Sequence, residues 1–558
     1  MKWGKRGKFK TWFNTGTPWV WLSAGAVSIC LVMVFGLLAL IAAKGLSYFW
    51  PHDIMEIDYR EHGAVVRLVG EIHGSEQVSA ERLRSAGVEG LPSHEHLVTR
   101  YLLKTGNRDI LGADFRTLIK PEIVRRQHPA ALLAIERREW GNLYGYLHAV
   151  KENGVVVAEG DAAWGELQRR LSHVQARVDE IRRIEKGEIG GINYQLERLR
   201  IQERSLDIEG RLDAAARADL EGERAVLHQR YEGLQQQLAG LYTRLRQDSY
   251  TLEVAGGERR DFPLDKVVRA YRPNAMSVFD KTRHYFAKLW EFVSDEPREA
   301  NTEGGIFPAI FGTVMMVIIM SVFVTPFGVV AAVYLREYAR QGPFTRLIRI
   351  AVNNLAGVPA IVYGVFGLGF FVYFLGGNLD QLFYPETLPA PTFGTPGILW
   401  SSLTLAILTL PVVIVATEEG LTRVPRAVRE GSLALGATKA ETLWRVVLPM
   451  ASPALMTGLI LAVARAAGEV APLMLVGVVK LAPSLPLDGD APYLHLDRKF
   501  MHLGFHIFDV GFQSPNVEAA RPLVYATAFL LVVVIVVLNL AAVAIRNRLR
   551  EKYRALES

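Results

Sequence analysis

One cysteine, Cys30, in 558 residues excludes an internal disulfide framework and any zinc site built on thiolates. A large charge excess is also missing. The 63 Lys+Arg against 57 Asp+Glu leave a formal +6, too small by itself to imply nucleic acid. The chain lacks a phosphate-binding loop as well. Gly431-x4-Gly436-Ala437-Thr438-Lys439 has a superficial likeness, but it lacks the Gly-Lys-Ser/Thr ending and no buried strand precedes it. The chain itself is therefore expected not to hydrolyse ATP. His495, His502 and His506 contain an i, i+4 pair without a clear third ligand, which favours a structural interfacial role over a metal site. No metal and no cofactor of its own are expected.

Apolar length is abundant, and it is segregated. Half the residues are hydrophobic while 22% are charged, so membrane spans plus a separate hydrophilic region fit better than the three or four soluble domains that roughly 150 residues apiece would give. Six runs reach the ~20 residues needed to cross a hydrocarbon core. They lie at about Val20–Ala43, Ile306–Leu335, Ile350–Leu375, Ile398–Thr417, Pro453–Val478 and Pro522–Ile545. The first exceeds a ~7–15-residue signal core and reads as a retained anchor. Orientation follows from basic residues in short loops. With the N-terminus inside, the inner segments hold nineteen Lys/Arg, whereas the short outer loops 376–397 and 480–521 hold zero and four. Both termini are thus expected in the cytoplasm and residues 44–304 outside. The basic balance is a topology signal.

The 44–304 insert reads as mixed α/β at its ends, with β-type patterning at Ile54–Val69, Val155–Glu159 and Tyr250–Val254. Its centre carries two heptad seams. Trp164, Leu167, Leu171, Val174, Val178 and Ile181 form one, and Leu227, Tyr231, Leu234, Leu238, Leu241 and Leu245 form the other. Together they predict an antiparallel coiled-coil hairpin over about 163–247 that turns near Gly210, with a kink or break at Gly187–Gly191. Three helices are an equal alternative. Phe279–Val293 reads as an amphipathic lead-in to the second span.

Two patterns carry chemistry. In the cytoplasmic loop of about 425–449, Glu430-Gly431-Ser432 is followed by Gly436 and, nine residues later, by Val446-Val447-Leu448-Pro449. The loop is expected to be a short helix with an exposed acid, a turn at Gly436 and a second helix ending before Pro449. In the fifth span, Arg465 and Glu469 stand four apart, on one helical face. Arg465 falls twelve residues past Pro453, about 18 Å along a helix and so near mid-bilayer. An arginine there costs roughly 2.5–3.5 kcal/mol on insertion scales and is a pathway candidate. The alternative is an internal salt bridge that lets both charges tolerate the bundle. Glu418, beside Thr417 and Glu419, is a weaker candidate for the inner mouth.

The 425–449 loop resembles the coupling loop of ABC importer permeases, whose pattern is Glu-Ala-Ala-x3-Gly-x9-Ile-x-Leu-Pro. Glu430, Gly436, Leu448 and Pro449 match it, while Gly431-Ser432 and Val446 depart from it slightly. Arg465–Leu473, Asn354–Gly364 and Gly304–Thr313 further resemble the A-type permease of the phosphate-specific importer, over about Gly304 to Arg548. The resemblance implies an all-α polytopic permease of the bacterial inner membrane, 1–43 and 305–548 plus a 549–558 tail; it does not cover the 44–304 insert, whose α/β reading rests on its own residue pattern. It implies phosphate as substrate, a second permease subunit, two ATPase subunits that bind ATP and Mg, and an extracytoplasmic phosphate-binding protein docking in part on loop 480–521. Membrane lipid is an expected partner and nucleic acid is not. Another oxyanion or small solute, or a membrane-anchored coiled-coil scaffold or sensor, are the competing readings.

Overall fold

Residues 12–554, apart from 14, 62, 86–95, 299–300, 490 and 515–516, are described by a computed structural model. The basic residues Lys2 to Lys10 lie outside the described residues, as do 555–558.

Among the described residues, six helices are long and apolar enough to cross a membrane: Thr17–Ser47, Phe307–Tyr338, Ala360–Phe383, Ile398–Arg423, Lys439–Gly468 and Ala520–Arg548. The first is α1 (Thr17–Ser47). Its only buried residue is Gly45, at the end nearest the insert. A Cβ on Gly45 would lie 2.8 Å from the Ala526 Cα of the sixth span, so the first span closes against the sixth by backbone contact. The end of the bundle that meets the insert is called the insert side below, and the opposite end the tail side.

Two spans depart from their sequence boundaries. The third does not begin at Ile350. Residues Pro343–Leu355 form a separate amphipathic helix, and the span starts only at Ala360. Gly357 and Pro359 interrupt the backbone between them, and Pro359 is extended (ψ 134) before opening the new helix. The fifth span begins earlier and ends earlier than its sequence boundaries. Helical structure starts at Lys439, continues through a π-helical stretch at Leu443–Val447, passes Pro449 and Pro453, and stops at Gly468. The helix expected to end before Pro449 therefore continues. The wider π turn just ahead of Pro449 accommodates the ring and the missing N–H.

The fourth span, Ile398–Arg423, is the centre of the bundle, with Trp400, Leu405, Leu408, Val413 and Leu421 buried. Small residues set its spacing to the fifth span. A Cβ on Gly458 would sit 2.5 Å from the Ala416 methyl, and one on Gly420 would sit 2.7 Å from that of Ala454. Gly458→Leu is therefore expected to push these spans apart and cost about 1–3 kcal/mol or more. A lowered thermal midpoint of the purified protein would show it, and an unchanged midpoint would refute the packing argument.

Among its described residues the insert contains more β structure than its sequence suggested, and the strands of its two larger sheets pair antiparallel. Strands β1 (Met55–Glu61), β2 (Ala64–Ser79), β3 (Leu97–Lys104), β4 (Phe115–Ile119) and β5 (Ile123–Gln127) form one sheet in the order β4-β3-β2-β1-β5. The segment 54–69 is thus a hairpin and not one strand. A second sheet runs β10-β9-β7-β6-β11, with β8 on β7. Its strands are β6 (Leu132–Arg137), β7 (Leu143–Glu152), β8 (Val155–Glu159), β9 (Asp248–Glu253), β10 (Arg259–Pro263) and β11 (Val267–Tyr271).

Between β8 and β9 the chain makes a helical hairpin. Helix α2 (Asp161–Arg182) passes through a π-helical turn at Arg183–Ile189 into α3 (Gly190–Ile208), which turns at Gly210 (φ 67) into α4 (Ala214–Leu245). Ala163, Leu167, Leu171 and Val174 of α2 join Leu133, Ile135, Leu143 and Tyr250 of the second sheet in one apolar cluster. The base of the hairpin is therefore part of the sheet's core. Farther out, α3 packs near the loops between the spans. The Tyr194 hydroxyl donates to the Ala491 carbonyl, and its ring meets His495 edge-on at 6.4 Å. Helix α5 (Val278–Ser294), capped reciprocally by Ser277 and Asp280, leads into the second span.

Candidate functional site

The fifth helix stops inside the bundle. Matching the close approaches Gly420 to Ala451/Ala454 and Gly458 to Ala416 places Arg465 level with Ile407, nine residues into the Ile398–Arg423 span. That is about 14 Å from its insert-side end. Arg465 occupies the last helical turn, and Glu469 follows as the cap with extended backbone (φ −82, ψ 130). After Glu469–Pro472 a short turn, Leu473–Val476, carries the chain to Gly477, where Gly397 N–H bonds to the Val476 carbonyl. Non-helical backbone at this depth is tolerated because protein covers it. A Cβ on Gly364 of the third span would lie 2.7 Å from Pro472 Cα.

Arg465 Nε and Glu469 Oε1 are 3.6 Å apart, and the side chains are 32% and 26% exposed. This single loose contact joins a helical residue to one already outside the helix. The guanidinium, at a helix C-terminus, is favoured by the negative end of the helix dipole. An anion there would be disfavoured by the same dipole, so Arg465 is the group that can hold one. Its planar donor fork fits an oxyanion.

A cavity of about 390 Å³ runs from the tail side toward this pair, between the 343–355 helix and the fourth and fifth spans. Asn353, Glu419, Arg423, Thr457 and Leu461 line it, and Leu461 lies one turn before Arg465. Glu418 is not among its lining residues. It turns instead to Arg349 (Nε–Oε1 3.6 Å) on the amphipathic helix. By the same register Glu418 sits about 16 Å from Arg465, so the three pathway candidates do not form one cluster. Glu419 and Arg423, four apart at a span end, carried the available signal for this cavity, but one residue's rotation on the helix separates the two acids.

The 425–449 loop is built from α-helix Arg426–Ala434, a turn at Gly436 with φ 87, and the N-terminus of the fifth helix at Lys439. The positive φ requires glycine. Glu430 is exposed, as is Leu435 at 91%. Thr438 caps the next helix, and Glu441 bonds back to its backbone N–H and hydroxyl. The loop is pinned to the end of the second span. Arg429 pairs with Glu337, Lys439 donates to the Glu337 carbonyl, and its ammonium stands 4.6 Å from the Tyr338 ring centre. Ser432 and Thr442 hydroxyls, 2.9 Å apart, join its two helices. Leu448 is buried against Leu421, Val424 and Leu443, and Pro449 follows it inside the helix. The outward-facing part of the motif is therefore Glu430 with the Gly436 turn, while Leu448 and Pro449 set how the loop joins the span.

His502 and His506 are buried beneath the insert-side loop. His502 Nδ1 accepts from the Gly504 N–H at 3.1 Å. Burial lowers the pKa of His502 to about 3 and that of His506 to about 4, so both are neutral. His495 is also buried, with Nε2 2.9 Å from Asp488 Oδ1. These three imidazoles offer no open docking surface, which narrows the exposed part of loop 480–521. No group of three or more metal-ligating side chains occurs among the described residues.

Residues 324–551 match the family described as binding-protein-dependent transport system inner membrane component. The chain is 34% identical over 244 residues to phosphate transport system permease protein PstA 1 of Mycobacterium tuberculosis, covering 44% of this chain and 71% of that protein. It is 36% identical over 194 residues to PstA of Mycobacterium leprae, covering 35% and 58%. A probable PstA of Methanocaldococcus jannaschii is 31% identical over 189 residues, covering 34% and 60%. Among solved structures, an inward-facing MetNI methionine ABC transporter covers 43% of this chain and 94% of its own, with 18% identity and a TM-score of 0.33.

Proposed function

The chain belongs to the family of phosphate transport system permeases, and on that premise we propose how its parts divide the work of importing inorganic phosphate. It is a multi-pass inner-membrane subunit of an ATP-driven importer. Its ATPase and binding-protein partners are separate chains, the permease partner is a second subunit, and ATP and Mg reside on the ATPases. The tail side is cytoplasmic and the 44–304 insert periplasmic, in line with the nineteen Lys/Arg of the inner segments.

The observation that carries the mechanism is an arginine at the end of a helix that stops in mid-membrane above a tail-side cavity. Phosphate entering from the insert side competes with Glu469 for the Arg465 guanidinium. A protonated phosphate oxygen can donate to the displaced carboxylate, which sulfate cannot do at neutral pH. Closure of the ATPases against Glu430 and the Gly436 turn, transmitted through Glu337 to the second span, rocks the helices and opens the Glu419–Arg423 cavity toward the cytoplasm. Vesicles holding the complete complex and its binding protein should import labelled phosphate on ATP addition and reject sulfate. Equal sulfate import would overturn the Glu469 role.

The insert is accessory in this reading. Deleting all of 163–247 would strip α2 from the second sheet and expose its core, so the informative variant removes only the tip, 198–225, and rejoins the helices with a short glycine linker. Uptake is expected to persist. Lost uptake in a folded, assembled variant would give the hairpin an essential role.

A further inference from the structure

Helix α5, between the insert and the second span, has three faces in three different surroundings. One face is bonded to the insert. Lys281 Nζ donates to Asp53 Oδ1 at 2.6 Å, and the His284 ring meets that of Tyr271 at 4.5 Å between centres. Lys288 pairs with Glu136, and Glu291 accepts from Arg269 at 3.0 Å and from Arg298 at 2.7 Å. A second face closes on the bundle. The Tyr285 ring centre lies 6.3 Å from that of Phe49 and 6.1 Å from that of Trp50, just past the first span. Phe292 is buried with Phe49, Ile306, Ala309 and Leu523.

The third face is apolar and open. Phe279, Phe286 and Trp290 recur at i, i+7 and i+11, and they are 77%, 61% and 71% exposed. At 3.6 residues per turn their stripe is centred about 160° around the helix from Lys281, His284, Lys288 and Glu291. The aromatic face thus points directly away from the insert. Both ends of α5 stand at membrane level. Asp53, bonded near its start, is three residues past Trp50. The Phe292 carbonyl, near its end, accepts from the Ile306 N–H at 2.8 Å, one residue before the second span begins. A helix held at that depth at both ends runs along the bilayer surface, and the side opposite the insert is the bilayer side. Phe and Trp on one face of such a helix are the side chains that enter the headgroup–acyl boundary.

We propose that α5 is an interfacial helix bedded in the insert-side leaflet through Phe279, Phe286 and Trp290, and that it carries the insert on its polar face at a fixed height above the bundle. The aromatic stripe sits about 5–10 Å into the headgroup–acyl boundary. Arg283, exposed at the margin of the stripe, lays its stem along the apolar surface and raises its guanidinium to the phosphate layer. Lipid contact of this kind is independent of the solute that the bundle carries.

Spin labels test this on the full chain in its complex, reconstituted in phospholipid nanodiscs. Cys30→Ser removes the native thiol, and single cysteines are then introduced as Phe286→Cys, Trp290→Cys or, on the hairpin, Glu232→Cys. All three positions are exposed, so the substitutions leave the packing intact. Power-saturation EPR compares collisions with oxygen, which concentrates in lipid, against those with a water-soluble nickel chelate. Oxygen collisions should exceed nickel collisions about threefold or more at 286 and 290, and the order should reverse at 232. Nickel exceeding oxygen at 286 and 290 would place the stripe in water and overturn the proposal. Few collisions with either reagent would assign the stripe to a protein partner and overturn it equally.

Discussion

Arg465→Ala is expected to lower phosphate uptake by about a hundredfold or more, the loss of roughly 2.7 kcal/mol of interaction at the rate-limiting passage. The contact to Glu469 is one 3.6 Å approach to a residue outside the helix, and an arginine near mid-bilayer costs roughly 2.5–3.5 kcal/mol. A role in bundle stability predicts lost assembly in this variant, whereas a pathway role predicts assembled complex without flux. Arg465→Lys keeps the charge without the donor fork and should retain partial flux. Glu469→Gln should narrow the preference for phosphate over sulfate while leaving assembly intact. Uptake must be compared at equal amounts of assembled complex, and wild-type flux in Arg465→Ala would sink the pathway assignment.

The second large effect is expected at the loop. Glu430→Lys should weaken ATPase association at least about tenfold, or 1.4 kcal/mol, read by co-purification of the ATPase with the permease. Glu430 makes no ion pair among the described residues, so reversing its charge disturbs no partner within the chain. The neighbouring anchor, Arg429 to Glu337, is left in place. Gly436→Val provides a second route to the same outcome. A branched side chain at φ 87 costs about 1–2 kcal/mol and should distort the turn without touching Glu430. Normal ATPase capture by both variants would move coupling elsewhere. The two experiments are separable: Arg465→Ala should keep its ATPases and lose flux, whereas Glu430→Lys should lose its ATPases.

The spans were legible because length and apolarity act locally, and all six appear as helices. Their ends were less so. Run length did not separate the amphipathic 343–355 helix from the third span, since Ile348, Ile350 and Val352 continue the apolar pattern across the Gly357–Pro359 break. The sheets were largely hidden. Strands such as Ile123–Gln127, with Arg125 and Arg126 both exposed, are too short and too charged to show alternation, and pairing between strands distant in sequence is invisible to periodicity. At the site, Arg465 and Glu469 stood out because charge is rare in a span. The pairing of Glu418 was not legible because its partner, Arg349, is sixty-nine positions away, and no local spacing distinguishes it from Glu419.

Hairpin helix α3 touches the bundle through Tyr194, at the loop of Ala491 and His495, and runs on to the Gly210 turn. That is a further sixteen residues, or about 24 Å of helix. The contact point and the tip therefore stand as the short and long arms of a pointer. If the loop shifts by an ångström or two during transport while the sheet-bound base of α2 stays fixed, the displacement at Gly210 is magnified. A probe attached at the tip would then report movement of that loop, enlarged by the length of helix beyond the contact.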